Sequence, residues 1–309
     1  MAIKQRIKNR FISSAPVKGI IMQSKKVYVP GFGLHTVHDI WSPFIQQLQR
    51  SSIFERAAAI SFNVFMAIPP TLIFVFTLIP YLPISQQFIN ELFSVIRDVI
   101  PGENNNAVII SFLNDFLNQP RNELLSFGLL LALLFSSNAV MGILRSFDKN
   151  YVGFVERSGL KRRKTALELT LIVFVLGFVC ILLLIAQGAV LKWLGVENPW
   201  IRAIIHNFRW VIILLLVFYS ISFIYRHGPS LTHKWPFVTP GSVFATSLLL
   251  FATVLVTYWA NNFSNYNKVY GSIGAVFILM SLIYIYALVV LIGFELNVTI
   301  TSLSKKEEE

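Results

Sequence analysis

Residues 57–82, AAAISFNVFMAIPPTLIFVFTLIPYL, form an apolar run without a charged side chain. Crossing the hydrocarbon core of a bilayer takes about 20 mostly apolar residues at roughly 1.5 Å per helical residue. This run is long enough, and no earlier stretch of the chain is. The basic residues between Met1 and Arg10 lack the unbroken apolar core that a secretory signal peptide would need. We therefore expect 57–82 to be the first spanning helix and the signal for insertion.

Five further stretches meet the same criterion, at 124–144, 166–191, 205–225, 240–262 and 272–302. The whole chain of 309 residues is 55% hydrophobic and 13% charged, whereas soluble domains carry about 25% charged residues. The predicted fold class is therefore all-α, a polytopic membrane protein built as a bundle of six transmembrane helices with amphipathic interfacial helices. The lone cysteine, Cys180, excludes an intramolecular disulfide.

Two segments outside the spans have amphipathic patterns. Residues 36–53 place apolar side chains at helical spacing, which predicts a short helix on the inner surface of the membrane. Residues 84–119 form the longest outer loop, and two short amphipathic helices are expected there. The predicted organisation is a basic cytoplasmic segment at 1–35, a six-helix membrane domain at 36–302 and a cytoplasmic tail at 303–309.

The charge distribution predicts the orientation. Net charge is +11, and the chain has 26 lysines and arginines. Only six of them fall in the segments on one side of the predicted bundle: Arg97, Arg121, Lys192, Arg202, Arg209 and Lys268. Because basic loops stay in the cytoplasm, the other side is cytoplasmic. We expect the protein to lie in the plasma membrane. An even number of spans then places both termini in the cytoplasm.

The first span carries Pro69-Pro70 near the middle of the bilayer. Each proline lacks an amide hydrogen, so the carbonyls of Phe65 and Met66 lose their helical donors. Such a break indicates either a packing kink or a polar cavity on a transport path.

Polar side chains occur at a similar depth in two other spans. Asn138 follows two serines in the second span, and Tyr284 lies in the sixth. An intramembrane asparagine can join helices or line a cavity, and both alternatives remain open. The candidate transport path comprises Pro69, Pro70, Ser137, Asn138 and Tyr284.

Charged residues lie at the predicted inner ends of five spans. They are Arg56, Arg145, Glu168, Arg226 and Glu295. We expect a ring of paired charges at this level. Its role is either to lock the helix ends together or to act as a gate or a seat for an anionic headgroup.

Patterns for catalysis and cofactor binding are missing from the sequence. No phosphate-binding loop, zinc-protease motif or Cys-x-x-Cys pair occurs, and the five histidines are scattered over different loops. The Lys-Arg-Arg-Lys run at 161–164 indicates topology and attraction to anionic lipids and does not resemble a nucleic-acid surface. We therefore predict no catalytic residue, no metal, no cofactor and no nucleic-acid partner.

Several motifs resemble one bacterial family. They include the stretch Tyr225–Pro229, the run Tyr270–Ala275, the Asp148–Tyr151 stretch and the ending Gly293-Phe294-Glu295-Leu296-Asn297. Together they resemble the YihY/BrkB family over about residues 40–300. The matching family motif residues are Tyr270, Gly271, Gly274, Gly293, Glu295 and Asn297.

The resemblance implies a six-helix protein of the bacterial inner membrane. Members have been called virulence factors linked to serum resistance, some were once labelled ribonuclease BN, and some are suspected of exporting lipids or other envelope components. The inner loops offer no histidine–carboxylate cluster for RNA hydrolysis, so a nuclease is not expected.

Two functions remain after these exclusions. The favoured one is a transporter or translocase of an anionic amphipathic envelope component such as a lipid, with membrane lipids and their headgroups at the cytoplasmic face as partners. The alternative is a scaffold that transports nothing and holds an envelope protein partner. The sequence fixes neither substrate nor oligomeric state.

Overall fold

The chain folds into helices that follow the apolar runs of its sequence. The computed structural model describes residues 36–81, 122–148, 151, 154–155, 157–193, 199–262 and 272–308. These residues form seven α-helices and one 3₁₀ turn at Ile79–Tyr81. The helices are α1 (Val37–Arg50), α2 (Ile53–Leu78), α3 (Asn122–Phe147), α4 (Gly159–Trp193), α5 (Pro199–His227), α6 (Pro240–Asn262) and α7 (Ser272–Glu308).

Helices α2 to α7 coincide with the six predicted spans. Within the described residues, four segments have the length and apolar character to cross a bilayer: Ile53–Leu78, Glu123–Phe147, Pro240–Tyr258 and Val276–Lys305. A fifth apolar segment, Val211–His227 in α5, is shorter. The all-helical, membrane-spanning class is therefore confirmed, and the count of six spans stays a prediction.

The short helix α1 forms where the amphipathic pattern predicts it. Its N-terminus is a capping box, in which the Asp39 amide donates to the Thr36 hydroxyl at 3.4 Å and the Thr36 amide donates to the Asp39 carboxylate at 3.2 Å. The bonds from Thr36 hold the pKa of Asp39 below its usual range. Ile40 and Phe44 are buried against Ile300 of α7, so the apolar face of α1 packs on the end of the last helix.

The first span is not broken at its prolines. Helix α2 runs without interruption from Ile53 to Leu78 and contains both Pro69 and Pro70. A hydroxyl supports the backbone near this point, because Thr71 Oγ1 donates to the Ala67 carbonyl at 2.7 Å. The Ala67 carbonyl is not one of the two carbonyls that lose a donor, so this bond adds to the helix and does not replace the missing ones. Transmembrane helices tolerate proline where neighbouring groups satisfy the freed carbonyls. The expected broken span is therefore corrected to a continuous helix.

The six long helices pack in a closed ring. Each contacts the next along the chain, from α2 through to α7, and α7 returns to pack against α2. Helix α1 lies outside this ring against α7. We call the end of the ring where α2 begins, α3 ends and α7 ends the basic end, because the basic loops of the sequence lie there.

Three predicted segments lie outside the predicted spans. The last helix continues to Glu308, so residues 303–308 are helical and continue α7, and their place as a cytoplasmic tail stays a prediction. The basic segment 1–35 and the 84–119 loop lie outside the described residues.

Candidate functional site

A buried ion pair joins the first and last long helices at the basic end. Arg56 Nη1 and Glu295 Oε1 are 2.5 Å apart, and the two side chains are 9% and 0% exposed. Arg56 lies one turn into α2, and Glu295 lies in the second half of α7. Removing two charges from water costs several kcal/mol per ion, so this pair needs further hydrogen bonds to persist.

Those bonds come from three other parts of the chain. Gln47 of α1 donates to Glu295 Oε2 at 2.9 Å, and the Tyr151 hydroxyl donates to Glu295 Oε1 at 2.8 Å. Arg56 donates to the carbonyls of Ser51 at 3.1 Å and Ser146 at 2.6 Å. Both carboxylate oxygens are therefore occupied. We call Gln47, Arg56, Tyr151 and Glu295 the polar node.

Tyr151 takes part in the node as a protonated hydroxyl. It lies in the connection between α3 and α4. Burial and the neighbouring carboxylate of Glu295 raise the pKa of Tyr151 well above its ordinary value. The phenol therefore keeps its proton at physiological pH and remains a hydrogen-bond donor to Glu295.

We expect the Tyr151→Phe substitution to lower the free energy of unfolding by about 1.5–3 kcal/mol, the usual contribution of a hydrogen bond to a charged group. Chemical unfolding of the purified protein in detergent measures this. The matched control is Tyr219→Phe, because Tyr219 is 53% exposed on α5. Equal stability of the Tyr151 and Tyr219 variants would show that the phenol does not support the carboxylate.

Aromatic rings shield the node from water. The Phe294 ring stacks on Phe147 with centroids 3.8 Å apart. Four further rings meet Phe294 at centroid distances of 5.7 to 6.2 Å: Tyr151, Tyr225, Phe154 and Trp235. The cluster joins α3, α5, α7 and the loops between them. Rings packed in this way lower the local dielectric constant. A lower dielectric constant strengthens the ion pair of Glu295, the residue that follows Phe294 in α7.

Helices α6 and α7 approach each other closely at two glycines. A Cβ atom on Gly293 would lie 2.6 Å from both the Gly241 carbonyl oxygen and the Tyr225 hydroxyl. One turn later, Asn297 accepts from the Gly241 amide at 2.8 Å and donates to the Thr239 hydroxyl at 2.9 Å. The amide side chain therefore caps the start of α6. Small residues with a polar bond are a common way to join membrane helices.

The expected ring of paired charges does not form. Only Arg56 and Glu295 pair with each other. Glu168 is exposed and lies 3.8 Å from Lys164 of its own helix. Arg226 donates to the Trp235 carbonyl at 3.2 Å and lies over the Phe237 ring, and Arg145 is exposed. These side chains start at similar levels but point in different directions around their helices.

A cavity of about 430 Å³ lies among α2, α3, α4 and α5. These helices are four consecutive members of the ring, and the space between them is partly open to the surface of the protein. Its wall is apolar except for three hydroxyl side chains. These belong to Thr71, Ser136 and Thr170. We call this space the ring cavity.

The five predicted path residues lie outside the lining of this cavity. Pro69 is exposed and Pro70 half-buried, while their neighbours Ile68 and Thr71 line it. Tyr284 packs half-buried against the core of α7. The predicted path at these five residues does not coincide with the ring cavity and stays a prediction.

The second span shows how the rotation of a helix decides which residues line the cavity. Ser136, Ala139, Val140 and Ile143 line the cavity, with the spacing of one helix face. Ser137 is buried and donates to the Leu134 carbonyl of its own helix at 2.8 Å. Asn138 is exposed, and its side chain accepts from Arg163 of α4 at 2.6 Å. Asn138 thus joins two helices, which is the bonding role that the sequence also allowed.

Sequence reasoning missed four contributors to these sites. Gln47 has the pattern of a polar residue on an interfacial helix, and Thr71, Ser136 and Thr170 are ordinary small hydroxyl residues of apolar spans. A signal exists for two of the hydroxyls: Thr71 follows the proline pair directly, and Ser136 begins the polar stretch that ends at Asn138. Gln47 has no such signal, because its partner Glu295 is 248 residues away.

The ending motif of α7, Gly293–Asn297, contributes to both the polar node and the close contact between α6 and α7. Gly293 and Asn297 face α6, and Glu295 faces α2. Tyr270 and Gly271 lie outside the described residues, and Gly274 lies in α7 with its surroundings undescribed. The family description "Virulence factor BrkB" matches residues 44–309, which include the whole polar node and the ring cavity. The chain belongs to the virulence factor BrkB family.

A curated relative supports the same assignment. The chain is 29% identical over 258 residues to the "ribonuclease-like protein YfkH" of Bacillus subtilis (strain 168), which covers 82% of this chain and 92% of that protein. No solved structure gives a significant match. In this BrkB family protein, the described residues contain no group of three histidine, cysteine or acidic side chains able to hold a metal ion.

Proposed function

We propose that this BrkB family protein moves an anionic amphipathic component of the envelope, such as a lipid, across the membrane. The observation that carries the proposal is the ring cavity. Its volume of about 430 Å³ falls within the range of about 300–1,000 Å³ that is usual for ligand sites. Its walls come from four of the long apolar helices and leave it partly open to the surface, so an apolar chain can enter it.

The wall of the cavity suits an apolar chain that must also leave. Thr71 and Thr170 donate to carbonyls of their own helices, each at 2.7 Å. Their donors are therefore satisfied, and Ser136 Oγ lies 3.4 Å from Thr71 Oγ1. Such a wall binds hydrocarbon by packing and offers weak acceptors without an unpaired donor. Tight binding of one ligand is not favoured, and weak binding helps a transported molecule to leave.

In this proposal the polar node is a lock between helices. Glu295 is fully buried, and its oxygens are occupied by Arg56, Gln47 and Tyr151. It therefore has no free oxygen for a gating partner, and its pairing with Arg56 leaves neither charge available to an anionic headgroup. The basic residues that remain exposed, Arg145 and Lys161 among them, are the headgroup contacts we propose.

The setting that we propose is the bacterial inner membrane, with both termini in the cytoplasm. The asymmetric distribution of lysine and arginine supports this orientation. We further propose that the protein is not an enzyme. The sequence has no nucleotide-binding motif, so transport would be driven by a gradient or a partner, or would be passive scrambling.

Lipid movement in proteoliposomes tests the function. Fluorescent anionic and zwitterionic lipids are reconstituted with the protein, and dithionite then bleaches the outer leaflet. We expect wild-type protein to make the inner-leaflet probe accessible faster than empty liposomes do, with the anionic probe moving faster.

Filling the cavity should stop this movement. The Ser136→Trp substitution places an indole among the lining residues of α2 and α3, and we expect flux to fall to the level of empty liposomes. The matched control is Leu134→Trp on the same helix, where Leu134 is 48% exposed and outside the cavity lining. Its flux should stay at the wild-type level.

The outcomes separate transport from scaffolding. Equal loss of flux in both tryptophan variants would indicate general damage and contradict a path through the cavity. Absence of flux in the folded wild-type protein, with anionic and zwitterionic probes alike, would contradict lipid translocation. The scaffold would then be favoured.

A further inference from the structure

A second apolar space lies at the basic end, outside the ring. It has a volume of about 540 Å³ and shares no lining residue with the ring cavity. We call it the α1 groove. Its walls are α1, the start of α6 and the second half of α7. The residues that matter below are Phe44, Trp41, Val243, Phe244, Ser247 and Ile300.

The groove opens onto the lipid-facing surface of the protein. Val243 and Phe244 are 47% and 40% exposed at its edge. Further along α6 the exposed apolar surface continues through Leu250, Phe251, Val254 and Leu255. We call these four residues the α6 stripe. A hydrocarbon chain lying against the stripe can therefore enter the groove without crossing a polar surface.

Trp41 marks the level of the groove in the membrane. It lines the groove from α1 and is 63% exposed. Exposed tryptophan on an amphipathic helix is typical of the boundary between headgroups and acyl chains. The groove therefore begins at headgroup level and extends toward the hydrocarbon core.

We propose that the α1 groove holds an acyl chain of a phospholipid from the leaflet at the basic end. The occupant follows from the continuity of the groove with the exposed apolar stripe of α6 and from the exposed Trp41 at its edge. This lipid stays bound between α1 and α6. The inference does not depend on the proposed function, because a resident lipid is detectable whether or not the protein moves lipids.

Photocrosslinking in proteoliposomes tests the site. The probe is phosphatidylglycerol with a diazirine in one acyl chain, diluted in phosphatidylcholine. After illumination, mass spectrometry maps the labelled peptides. We expect labelling at 37–44 and 238–247 to exceed labelling of the α6 stripe several-fold. Labelling of the groove at or below the level of the stripe would overturn the proposal.

Variants that fill the groove test whether an acyl chain occupies it. Val243→Trp and Ser247→Phe each fill the groove, so labelling there should fall several-fold, whereas Val254→Trp in the stripe should leave it unchanged. Unchanged labelling in both filled variants would refute a bound acyl chain in the groove.

Discussion

Replacing Arg56 with leucine is expected to lower the free energy of unfolding by about 3–5 kcal/mol, the usual cost of breaking a buried ion pair. The loss arises because Glu295 keeps its charge at a fully buried position and retains only Gln47 and Tyr151 as donors. The carbonyls of Ser51 and Ser146 also lose their donors. Unfolding of the purified variant in mixed detergent micelles measures the difference.

Two further variants show whether the effect belongs to the pair. Arg145→Leu removes an exposed arginine at a similar level, and we expect a change within about 0.5 kcal/mol. The double variant Arg56→Leu, Glu295→Leu removes both charges and should recover a large part of the stability. If the double variant were as unstable as the sum of its single variants, the pair would not be coupled.

Replacing Gly293 with alanine is expected to lower the free energy of unfolding by about 1–3 kcal/mol or more, as for other overpacked sites. The new methyl would lie 2.6 Å from the Gly241 carbonyl oxygen and 2.7 Å from Ala245 Cβ. Real Cβ atoms essentially never come so close to other heavy atoms, and the carbonyl belongs to the backbone of α6. The two helices must separate, which also stretches the bond from the Gly241 amide to Asn297.

Gly177 of α4 provides the control for this prediction. A Cβ built there meets nothing within 4 Å, and the intrinsic helix propensity of alanine exceeds that of glycine by about 1 kcal/mol. Gly177→Ala should therefore leave stability unchanged or raise it, by the same unfolding measurement. Equal losses in both variants would mean that close contact between α6 and α7 does not explain the glycine.

The sequence predicts well where the helices of this protein lie along the chain. It predicts poorly how each helix is rotated about its own axis against its neighbours. Apolar length alone locates α2 to α7, since crossing a membrane demands it. It also predicts α1, because the spacing of Ile40, Phe44 and Leu48 follows one helix face. Which residues line the ring cavity depends on how α2 and α3 are turned against each other. That is why Ser136 lines it and Asn138, two residues later, does not.

Local patterns in the sequence do not predict the polar node. Arg56 and Glu295 are recognisable as charges near a membrane boundary, but a pattern of charges does not tell which of five will pair. The choice depends on packing, since Phe147 and Phe294 stack beside the pair and exclude water. The proline pair misled for a related reason. A proline predicts a missing hydrogen bond, but losing two such bonds does not end the helix, and α2 continues through both prolines.

The most direct test of transport through the ring cavity is chemical blockage within a single preparation. The protein carries Cys180 alone, so a Cys180→Ala background accepts either Ser136→Cys or Leu134→Cys. Reconstituted protein is assayed for lipid flux before and after labelling with a membrane-permeant, bulky thiol reagent that attaches through a mixed disulfide. The extent of labelling is measured by mass spectrometry. Folding is then the same in both assays.

We predict that labelling at position 136 abolishes flux, that labelling at position 134 leaves it unchanged, and that reduction of the mixed disulfide restores it. Full labelling at position 136 with undiminished flux would contradict a transport path between α2, α3, α4 and α5.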